Sequence, residues 1–213
     1  MSISKFLESM QDYSSPNVFN PYSQVCEHND TIESPKVRLE LLSDLLQKAE
    51  KEEVESIWLG RDLGYRGGRR TGLAFTDDIN VSLHLERWGI ENPLVIPKEL
   101  VKEQSASTVW SILKEIDKNI FLWNIFPFHP YKPNQPLSNR KHLKHENTAG
   151  KEFLIALINI LQPKSIFAIG NDAYNSVEQL DLDIELIKAR HPSYGGKKDF
   201  LDAVCQNYSV KEK

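Results

Sequence analysis

"IWLGRDLGYRGGRRTGLAFTDD", residues 57–78, joins a short apolar run to a loop rich in glycine and arginine. The apolar run has the length of a buried strand, and the clustered glycines that follow it are typical of a loop. A single acid, Asp62, stands where the two meet. The stretch therefore predicts a strand that ends in a carboxylate and opens into a flexible, cationic loop.

Strand-like segments recur along the chain and alternate with helix-like segments. Apolar runs predict strands at 54–60, 120–126, 165–170 and 184–190. This alternation is typical of a parallel sheet that is covered by helices on both faces. We therefore predict an α/β fold, in which a single domain has three α/β/α layers around a central, four-stranded, mainly parallel sheet.

Apolar residues at helical spacing indicate where the helices lie. Ser34 and Pro35 are typical of an N-cap and first turn, and the helix that they begin is expected to end near Glu53. We expect residues 1–53 to form a helical segment packed on the core, and residues 54–213 to form the α/β core itself. Two further apolar faces predict later helices: Val109, Ile112, Leu113 and Ile116 on one, and Phe153, Leu154, Leu157, Ile158 and Leu161 on the other.

Length and composition limit the class of protein. The 213 residues, 40% of them hydrophobic, suffice for one substantial core. The sequence contains no run of ~18 apolar residues, and its start lacks the basic-then-apolar order of a secretory signal. We therefore expect a cytoplasmic protein that makes no use of a membrane. Cys26 and Cys205 are too few for a disulfide framework or a four-cysteine iron–sulfur site, so neither a metal nor a cofactor is expected.

Charge is distributed unevenly along the chain. The formal net charge is −4, but residues 1–56 contain 11 acids and 5 bases, which leaves 21 bases and 19 acids in the rest. One basic cluster is often only a solvated surface. Three clusters, each near a predicted strand, favour a shared site for a polyanion such as DNA. They comprise Arg61, Arg66, Arg69 and Arg70; Lys132, Arg140, Lys141 and Lys144; and Lys188, Arg190, Lys197 and Lys198.

Polar side chains stand at the ends of the predicted strands. Asp62, Asn124 and His191 each occupy such a position, and ligands bind at the carboxyl ends of the strands in open parallel sheets. Each residue alone has a structural explanation: Asp62 could pair with an arginine, Asn124 could satisfy loop backbone, and His191 could be a packed loop residue. Their common position predicts a site that combines an acid, an amide and an imidazole.

Three motifs in order resemble those of the uracil-DNA glycosylase superfamily. "GRDLGYRGGRRTGLAFTDD", 60–78, is similar to the water-activating loop and the base-stacking phenylalanine that follows it. Asp62 matches the acid of the classical G-Q-D-P-Y-H loop, and "RTGLAFTDD" resembles the R-T-G-x-x-F-T-G-D run of the thermophilic iron–sulfur enzymes. "LWNIFPFHP", 122–130, and "HPSYGG", 191–196, resemble the base-reading motif and the H-P-S loop. The resemblance spans about 54–206.

The resemblance implies hydrolysis of the N-glycosidic bond of a flipped pyrimidine, which leaves an abasic site. Asp62 would orient or deprotonate the attacking water and oppose the positive charge on the sugar, while His191 would donate a hydrogen bond to the departing base. Asn124 would pair with the edge of the base, since its amide has one donor and one acceptor group in a fixed plane. Phe75 would stack on the base.

This sequence departs from the classical pattern at the pocket wall. Gly64 stands where the classical enzymes have a tyrosine that blocks the 5-position of the pyrimidine. In the G-x-N-P-G loop of the mismatch-specific enzymes this position is also a glycine. The pocket is therefore expected to accept uracil or a 5-substituted pyrimidine, unless Tyr65 fills the gap. After the H-P-S motif comes Tyr194 in place of a leucine wedge.

The expected partner is DNA, double- or single-stranded, and the chain is expected to act as a monomer in base-excision repair or in defence against modified viral DNA. The alternative is a catalytically inactive nucleic-acid-binding module or sensor, against which the acid and imidazole of the motifs weigh. A phosphate-loop nucleotide-binding protein is excluded, because no G-x-x-x-x-G-K-[ST] motif occurs. The residues expected to contact DNA are Arg66, Arg69, Arg70, Lys132, Arg140, Lys141, Arg190, Ser193, Tyr194 and Lys197.

Overall fold

A computed structural model, which describes residues 1–94, 99–193 and 195–210, has an α/β architecture with four parallel strands in one sheet. All four predicted strands are present. The strands are β1 (Val18–Phe19), β2 (Ser56–Asp62), β3 (Ile120–Phe126), β4 (His129–Pro130), β5 (Ser165–Ile169) and β6 (Glu185–Ala189). The helices are α1 (Ile3–Asp12), α2 (Ser34–Lys51), α3 (Gly68–Thr71), α4 (Val81–Arg87), α5 (Gln104–Leu113), α6 (Lys144–Leu161), α7 (Asn171–Glu178) and α8 (Lys197–Asn207).

The order of the strands determines where a ligand can bind. The sheet has the order β3-β2-β5-β6, and every neighbouring pair is parallel. The chain therefore passes from β2 to β3 on one side and later returns to β5 on the other side of β2. The carboxyl ends of β2 and β5 are the point where this order reverses, which is where open α/β sheets bind ligands. Asp62 at the end of β2 and Gly170 after β5 lie at this edge.

Helices cover both faces of the sheet, because successive side chains of a strand point to opposite sides. Ile57 and Leu59 of β2 belong to the core cluster that also contains Leu154 and Leu157 of α6. Trp58, between them, belongs to the cluster on the other face, with residues of α5 and α8 such as Val109 and Phe200. The three-layer arrangement predicted from the sequence is confirmed.

The N-terminal segment contributes to the same core. Phe6 and Met10 of α1 and Leu41 and Leu42 of α2 are buried in the cluster that contains β2 and β3. Strand β1 of this segment pairs with β4 in a separate two-stranded antiparallel sheet. Within the ranges described above, no helix has the length and apolar character needed to cross a membrane. The division of the chain at residue 53 stays a prediction.

The helix boundaries differ in detail from the predicted ones. Helix α2 begins at Ser34 itself, so that the prediction of Ser34 as the N-cap is wrong by one residue; Glu33 takes that position without a side-chain cap. The Ser34 hydroxyl instead accepts a hydrogen bond from the backbone N–H of Thr31. Pro35 lies in the first turn as expected, and the helix ends at Lys51. Helix α5 ends at Leu113, before Ile116.

Candidate active site

The carboxylate of Asp62 is held by two neighbours at the end of β2. Arg61 donates from Nε to Asp62 Oδ2 at 2.6 Å, and His142 is paired with Asp62 Oδ1. The Asp62 side chain is only 5% exposed and that of His142 only 3%. The acid predicted from the sequence is therefore a buried, oriented carboxylate rather than a free one. Each oxygen keeps a lone pair that can accept a further hydrogen bond.

A chain of hydrogen bonds behind Asp62 determines which nitrogen of His142 carries the proton. Asn147 Nδ2 donates to His142 Nε2 at 2.7 Å and also contacts Ser176 Oγ at 2.9 Å. Because an amide NH₂ group can only donate, His142 Nε2 is the acceptor and Nδ1–H donates to Asp62. The chain runs from the end of β2 through the loop before α6 to helix α7, so three elements fix the direction of the carboxylate.

A second set of charges lies beside the first. Arg61 also donates to Asp172 Oδ2 at 3.1 Å, and Lys141 pairs with Asp172 Oδ1. Burial alone would raise the pKa of Asp172, but the hydrogen bonds from Lys141 and Arg61 lower it below its usual value. Arg61 therefore bridges two carboxylates, and Asp62 and the basic loop before α6 come together as the sequence predicted.

Asn124 and Phe75 converge over Gly60. Asn124 is the register partner of Gly60 across the β2–β3 pair. A Cβ atom at Gly60 would lie 2.6 Å from Cζ of Phe75 and nearer to Asn124 Oδ1 than van der Waals contact allows. The glycine thus leaves room for an amide and an aromatic ring to meet at one point. This brings together two residues that lie 49 positions apart in the sequence numbering.

The side-chain amide of Asn124 has unused hydrogen-bonding capacity within the described part of the chain. The residue is 3% exposed, and its side chain forms no hydrogen bond with any residue that the structure describes. Neither amide atom is among the fully buried, unpaired side-chain atoms of the described residues, so both retain some contact with solvent. An unpaired amide beside an aromatic ring is therefore available to a planar ligand that offers a donor and an acceptor.

The backbone of Phe75 is held in an unusual conformation. Its φ angle of 50° lies in the left-handed region, which is uncommon for a bulky residue. The carbonyl of Phe75 accepts a hydrogen bond of 2.9 Å from Trp110 Nε1 on α5. Strained residues of this kind persist only where their surroundings hold them, and they are concentrated at functional sites. The geometry fits a ring that is kept in place for stacking.

His191 lies after β6 and packs against Gly170. A Cβ atom at Gly170 would be 3.3 Å from Cβ of His191. The backbone N–H of Ser193 donates to His191 Nδ1 at 3.2 Å, so in the neutral ring the proton is on Nε2. Burial, and then the charge of Arg61, lower the pKa of His191 below its usual 6.5. His191 is therefore a neutral imidazole near physiological pH, and its Nε2–H donates to none of the residues that the structure describes.

The space beside Gly64 is filled by a residue that the sequence did not reveal. A Cβ atom at Gly64 would lie 3.0 Å from Glu103 Oε2, and Gly67 leaves room for the same carboxyl oxygen. Ser105 donates to Glu103 Oε1, and Oε2 has no hydrogen-bond partner within the described part of the chain. Burial, together with the charge of Asp77, raises the pKa of Glu103. The wall at Gly64 is therefore lined by a carboxyl group.

Tyr65 contacts a separate set of residues. Its backbone N–H donates to Asn139 Oδ1 at 3.0 Å, and its hydroxyl accepts from Arg66 Nε at 2.8 Å. Its ring lines a cleft with Arg66, Leu100 and other residues, and neither Asn124 nor Phe75 is among them. Tyr65 was predicted to border the base, and the structure assigns it to this cleft instead.

Five of the predicted DNA-binding cations are exposed at the surface. Two of them are already paired: Lys141 with Asp172, and Arg190 with Asp199 at 2.8 Å. The other three form no ion pair with described residues. The five are Arg66, Lys132, Lys141, Arg190 and Lys197. Ser193 is half-buried in the loop of His191, and Tyr194 lies outside the described residues.

The prediction that Arg69 contacts DNA is wrong, because its side chain is enclosed by the protein. Arg69 is 5% exposed, donates to His129 Nδ1 at 3.0 Å, and has its guanidinium 3.7 Å from the centre of the Phe19 ring. Burial and this neighbouring charge lower the pKa of His129 to about 3. Arg69 thus joins the loop after β2 to the N-terminal segment.

Arg70 and Arg140 are likewise occupied within the protein, so their assignment to DNA binding is also corrected. The Arg70 side chain is 8% exposed and pairs with Asp78 at 2.8 Å. Arg140 binds both oxygens of Glu146 at 2.7 Å and gives its remaining donors to backbone carbonyls. Burial would raise the pKa of Glu146, but hydrogen bonds from Arg140 and from the Leu143 N–H lower it. Both arginines fix loops at the site.

The profile of the family described as "Uracil DNA glycosylase superfamily" matches residues 49–206. Among solved structures, wild-type SMUG2 of Pedobacter heparinus superposes with a TM-score of 0.63 at 16% sequence identity, covering 96% of this chain and 95% of that one. At this identity the likeness shows a common fold. A search of curated protein sequences found no match.

Proposed function

The chain belongs to the uracil DNA glycosylase superfamily, and from this membership we propose that it flips uracil or a 5-substituted pyrimidine out of DNA and hydrolyses its N-glycosidic bond. The products are the free base and an abasic site. The observation that carries the proposal is the buried, unpaired amide of Asn124 beside the ring of Phe75. A flipped pyrimidine offers what both need, namely an edge with donors and acceptors and a flat face.

Asp62 serves the sugar side of the reaction. As the C1′–N1 bond breaks, its electron pair leaves with the base and the sugar becomes positively charged. The oxygen of a water molecule then bonds to C1′, and the proton that this water loses passes to Asp62. His142 and Arg61 each occupy one position on the carboxylate and direct the remaining lone pairs. They act as positioning residues, since an oriented base is more effective than a mobile one.

His191 serves the departing base. Its Nε2–H is free to donate because Nδ1 is occupied by the Ser193 N–H. A hydrogen bond to a pyrimidine carbonyl oxygen strengthens as negative charge develops on the base, and this differential binding lowers the barrier. The lowered pKa of His191 keeps the ring neutral, which suits a hydrogen-bond donor that does not have to release its proton.

Glu103 bears on the choice of substrate. Gly64 alone suggests an open pocket, but the carboxyl group of Glu103 lies 3.0 Å from the position of a Gly64 Cβ. We propose that this group borders the 5-position of the base, where it favours substituents that form hydrogen bonds over a methyl group. A methyl group would leave the carboxyl desolvated and unpaired, and sites of this kind reject such analogues strongly.

One assay tests the activity and the substrate together. DNA containing uracil, a thymine mismatch or a 5-modified pyrimidine is incubated with the protein and treated with alkali, which cleaves the strand at abasic sites. Cleavage that depends on Asp62 supports the glycosylase. DNA binding without cleavage of any of these substrates would instead support the non-catalytic module.

Variants at the pocket wall separate the effects of Gly64 and Glu103. Glu103→Ala should bring the rates of base release from a 5-hydroxymethyl and a 5-methyl substrate closer together. Gly64→Tyr, made together with Glu103→Ala so that the ring has space, should abolish activity on both and spare uracil. If the ratio of these two rates is the same in Glu103→Ala as in the wild type, Glu103 does not select the substrate. The choice between base-excision repair and defence against modified viral DNA follows from which base is released fastest.

A further inference from the structure

An open cleft with a volume of about 460 Å³ lies on the outer side of the catalytic loop. This volume falls in the range of small-molecule and nucleotide pockets. Tyr65 lines the cleft, only three residues after Asp62, so the two are at most about 10 Å apart along the backbone. The nucleotides next to the one held at Asp62 are therefore within reach of the cleft.

The lining of the cleft combines a flat aromatic surface with apolar side chains. The guanidinium of Arg66 stacks 5.4 Å from the centre of the Tyr65 ring and donates to its hydroxyl. Leu100 and Leu137, which also line the cleft, are 52% and 39% exposed. Exposed leucines beside a half-buried tyrosine and an exposed arginine leave apolar area that a base could cover.

The charge of the cleft matches a nucleic-acid strand. None of the described residues that line it is acidic. Arg66 and Lys102 form no ion pair with described residues, whereas the charge of Arg70 is balanced by Asp78 behind the wall. Two uncompensated cations around an aromatic surface are the combination with which proteins bind single strands, one group holding the phosphate and the other the base.

We propose that this cleft binds an unpaired nucleotide that neighbours the target in the same DNA strand, with its base stacked on Tyr65 and its phosphate near Arg66 and Lys102. The proposal rests on the proposed function for the location of the target nucleotide. It assigns Tyr65 to the flanking strand and not to the pocket of the target base. Stacking accepts any base, so the cleft should favour unpaired DNA without selecting its sequence.

The experiment measures binding, so it does not depend on turnover. The probe is a fluorescein-labelled oligothymidine strand with one 2′-fluoro-deoxyuridine, whose electron-withdrawing fluorine slows glycosidic cleavage. In a series of such strands, each nucleotide on either side of the target is replaced in turn by an abasic tetrahydrofuran. Fluorescence anisotropy gives the affinity for the wild type, for Tyr65→Ala, and for Tyr65→Phe, which keeps the ring.

One flanking position should show a loss of affinity of about 5- to 100-fold when its base is absent. This loss should persist in Tyr65→Phe and vanish in Tyr65→Ala. Tyr174 is the matched control, since its ring also lies against a cation, Lys188 at 4.6 Å, but outside the cleft; Tyr174→Ala should behave as the wild type. Thermal melting confirms that each variant is folded.

Two results would overturn the proposal. Affinity that is insensitive to every flanking base, or a sensitivity that survives in Tyr65→Ala, shows that the cleft holds no nucleotide. If the wild type releases uracil from DNA while either result is obtained, the inference fails and the proposed function stands. A wild type that neither binds nor cleaves any of the strands overturns both.

Discussion

Gly60→Ala tests whether Asn124 and Phe75 form one binding surface. The added Cβ atom would lie 2.6 Å from Cζ and 3.0 Å from Cε2 of Phe75, and closer still to Asn124 Oδ1. All three distances are shorter than normal carbon contacts, and Phe75 and Asn124 are both buried, so one of them has to move. Overpacking of this kind costs about 1–3 kcal/mol, part of which is offset by ~0.4–1 kcal/mol because alanine restricts the unfolded chain more than glycine does.

The net loss of roughly 0–2.6 kcal/mol corresponds to a melting temperature up to about 10 °C lower for a chain of this size. The effect on activity should be larger, since displacement of a positioning group by ~1 Å can cost about 10²-fold in rate. Differential scanning calorimetry and single-turnover release of uracil measure the two effects.

Gly64→Ala, four residues further along the chain, is the matched control. Its Cβ atom would meet only the end of the Glu103 side chain, at 3.0 Å, and a flexible chain can shift at little cost. The variant should melt close to the wild type and release uracil at a similar rate. The reasoning is refuted if Gly60→Ala retains wild-type stability and activity, because Asn124 and Phe75 would then not meet over Gly60.

Four further predictions concern the site and the buried histidines. Asp62→Asn should retain DNA binding and lose turnover by about 10²-fold or more, as measured by single-turnover kinetics; a wild-type rate would exclude Asp62 as the base. His191→Ala should lower the rate to a similar extent without changing the order of substrates, through loss of a donor to the developing anion. Asn124→Asp replaces a donor with an acceptor and should alter the ranking of pyrimidines in a panel assay; an unaltered ranking would make Asn124 structural. Stability should fall as the pH drops below about 6.5, since burial lowers the pKa of His84 and of His129 to about 3 and only the unfolded chain then takes up their protons. Urea titrations between pH 7 and about pH 4 should show a shallower decline in His84→Leu, and an unchanged slope would mean that this histidine is protonated in the folded protein.

The fold could be predicted from the sequence, and with it the positions of Asp62 at the end of β2 and of His191 after β6. Apolar runs of strand length alternate with helical patterns, and this alternation dictates a parallel sheet whose carboxyl ends share one edge. Residues at the ends of different strands are therefore brought together by topology, however far apart they lie in the chain. Motif spacing then indicated which of them resemble groups of known chemistry.

Contacts between side chains of separate loops could not be predicted in this way. His142 meets Asp62 across 80 residues, and Glu103 reaches Gly64 from the start of another helix. No periodicity marks such pairs, since they depend on the path of each loop. The segment HLKHEN, 142–147, did contain a hint, because His142 and Asn147 lie five residues apart on either side of the start of α6.

The cationic loops illustrate the limit of charge patterns. A cluster of arginines looks the same in the sequence whether it faces solvent or a buried acid. Arg70 and Arg140 have their partners Asp78 and Glu146 only eight and six residues away. The presence of these acids just beyond each basic cluster was the available signal that the arginines are structural.

The internal pairing of these arginines has a consequence for the behaviour of the protein in salt. Counterions are released from DNA only by cations that approach phosphates, and each such contact contributes about −0.9 to the slope of log K against log salt for a duplex. Three arginines of these loops bind groups within the protein and so do not contribute to this slope: Arg69, Arg70 and Arg140. Under the proposed function, the affinity for DNA therefore depends on ionic strength less steeply than the arginine content of the loops suggests, and a larger share of it comes from contacts with bases.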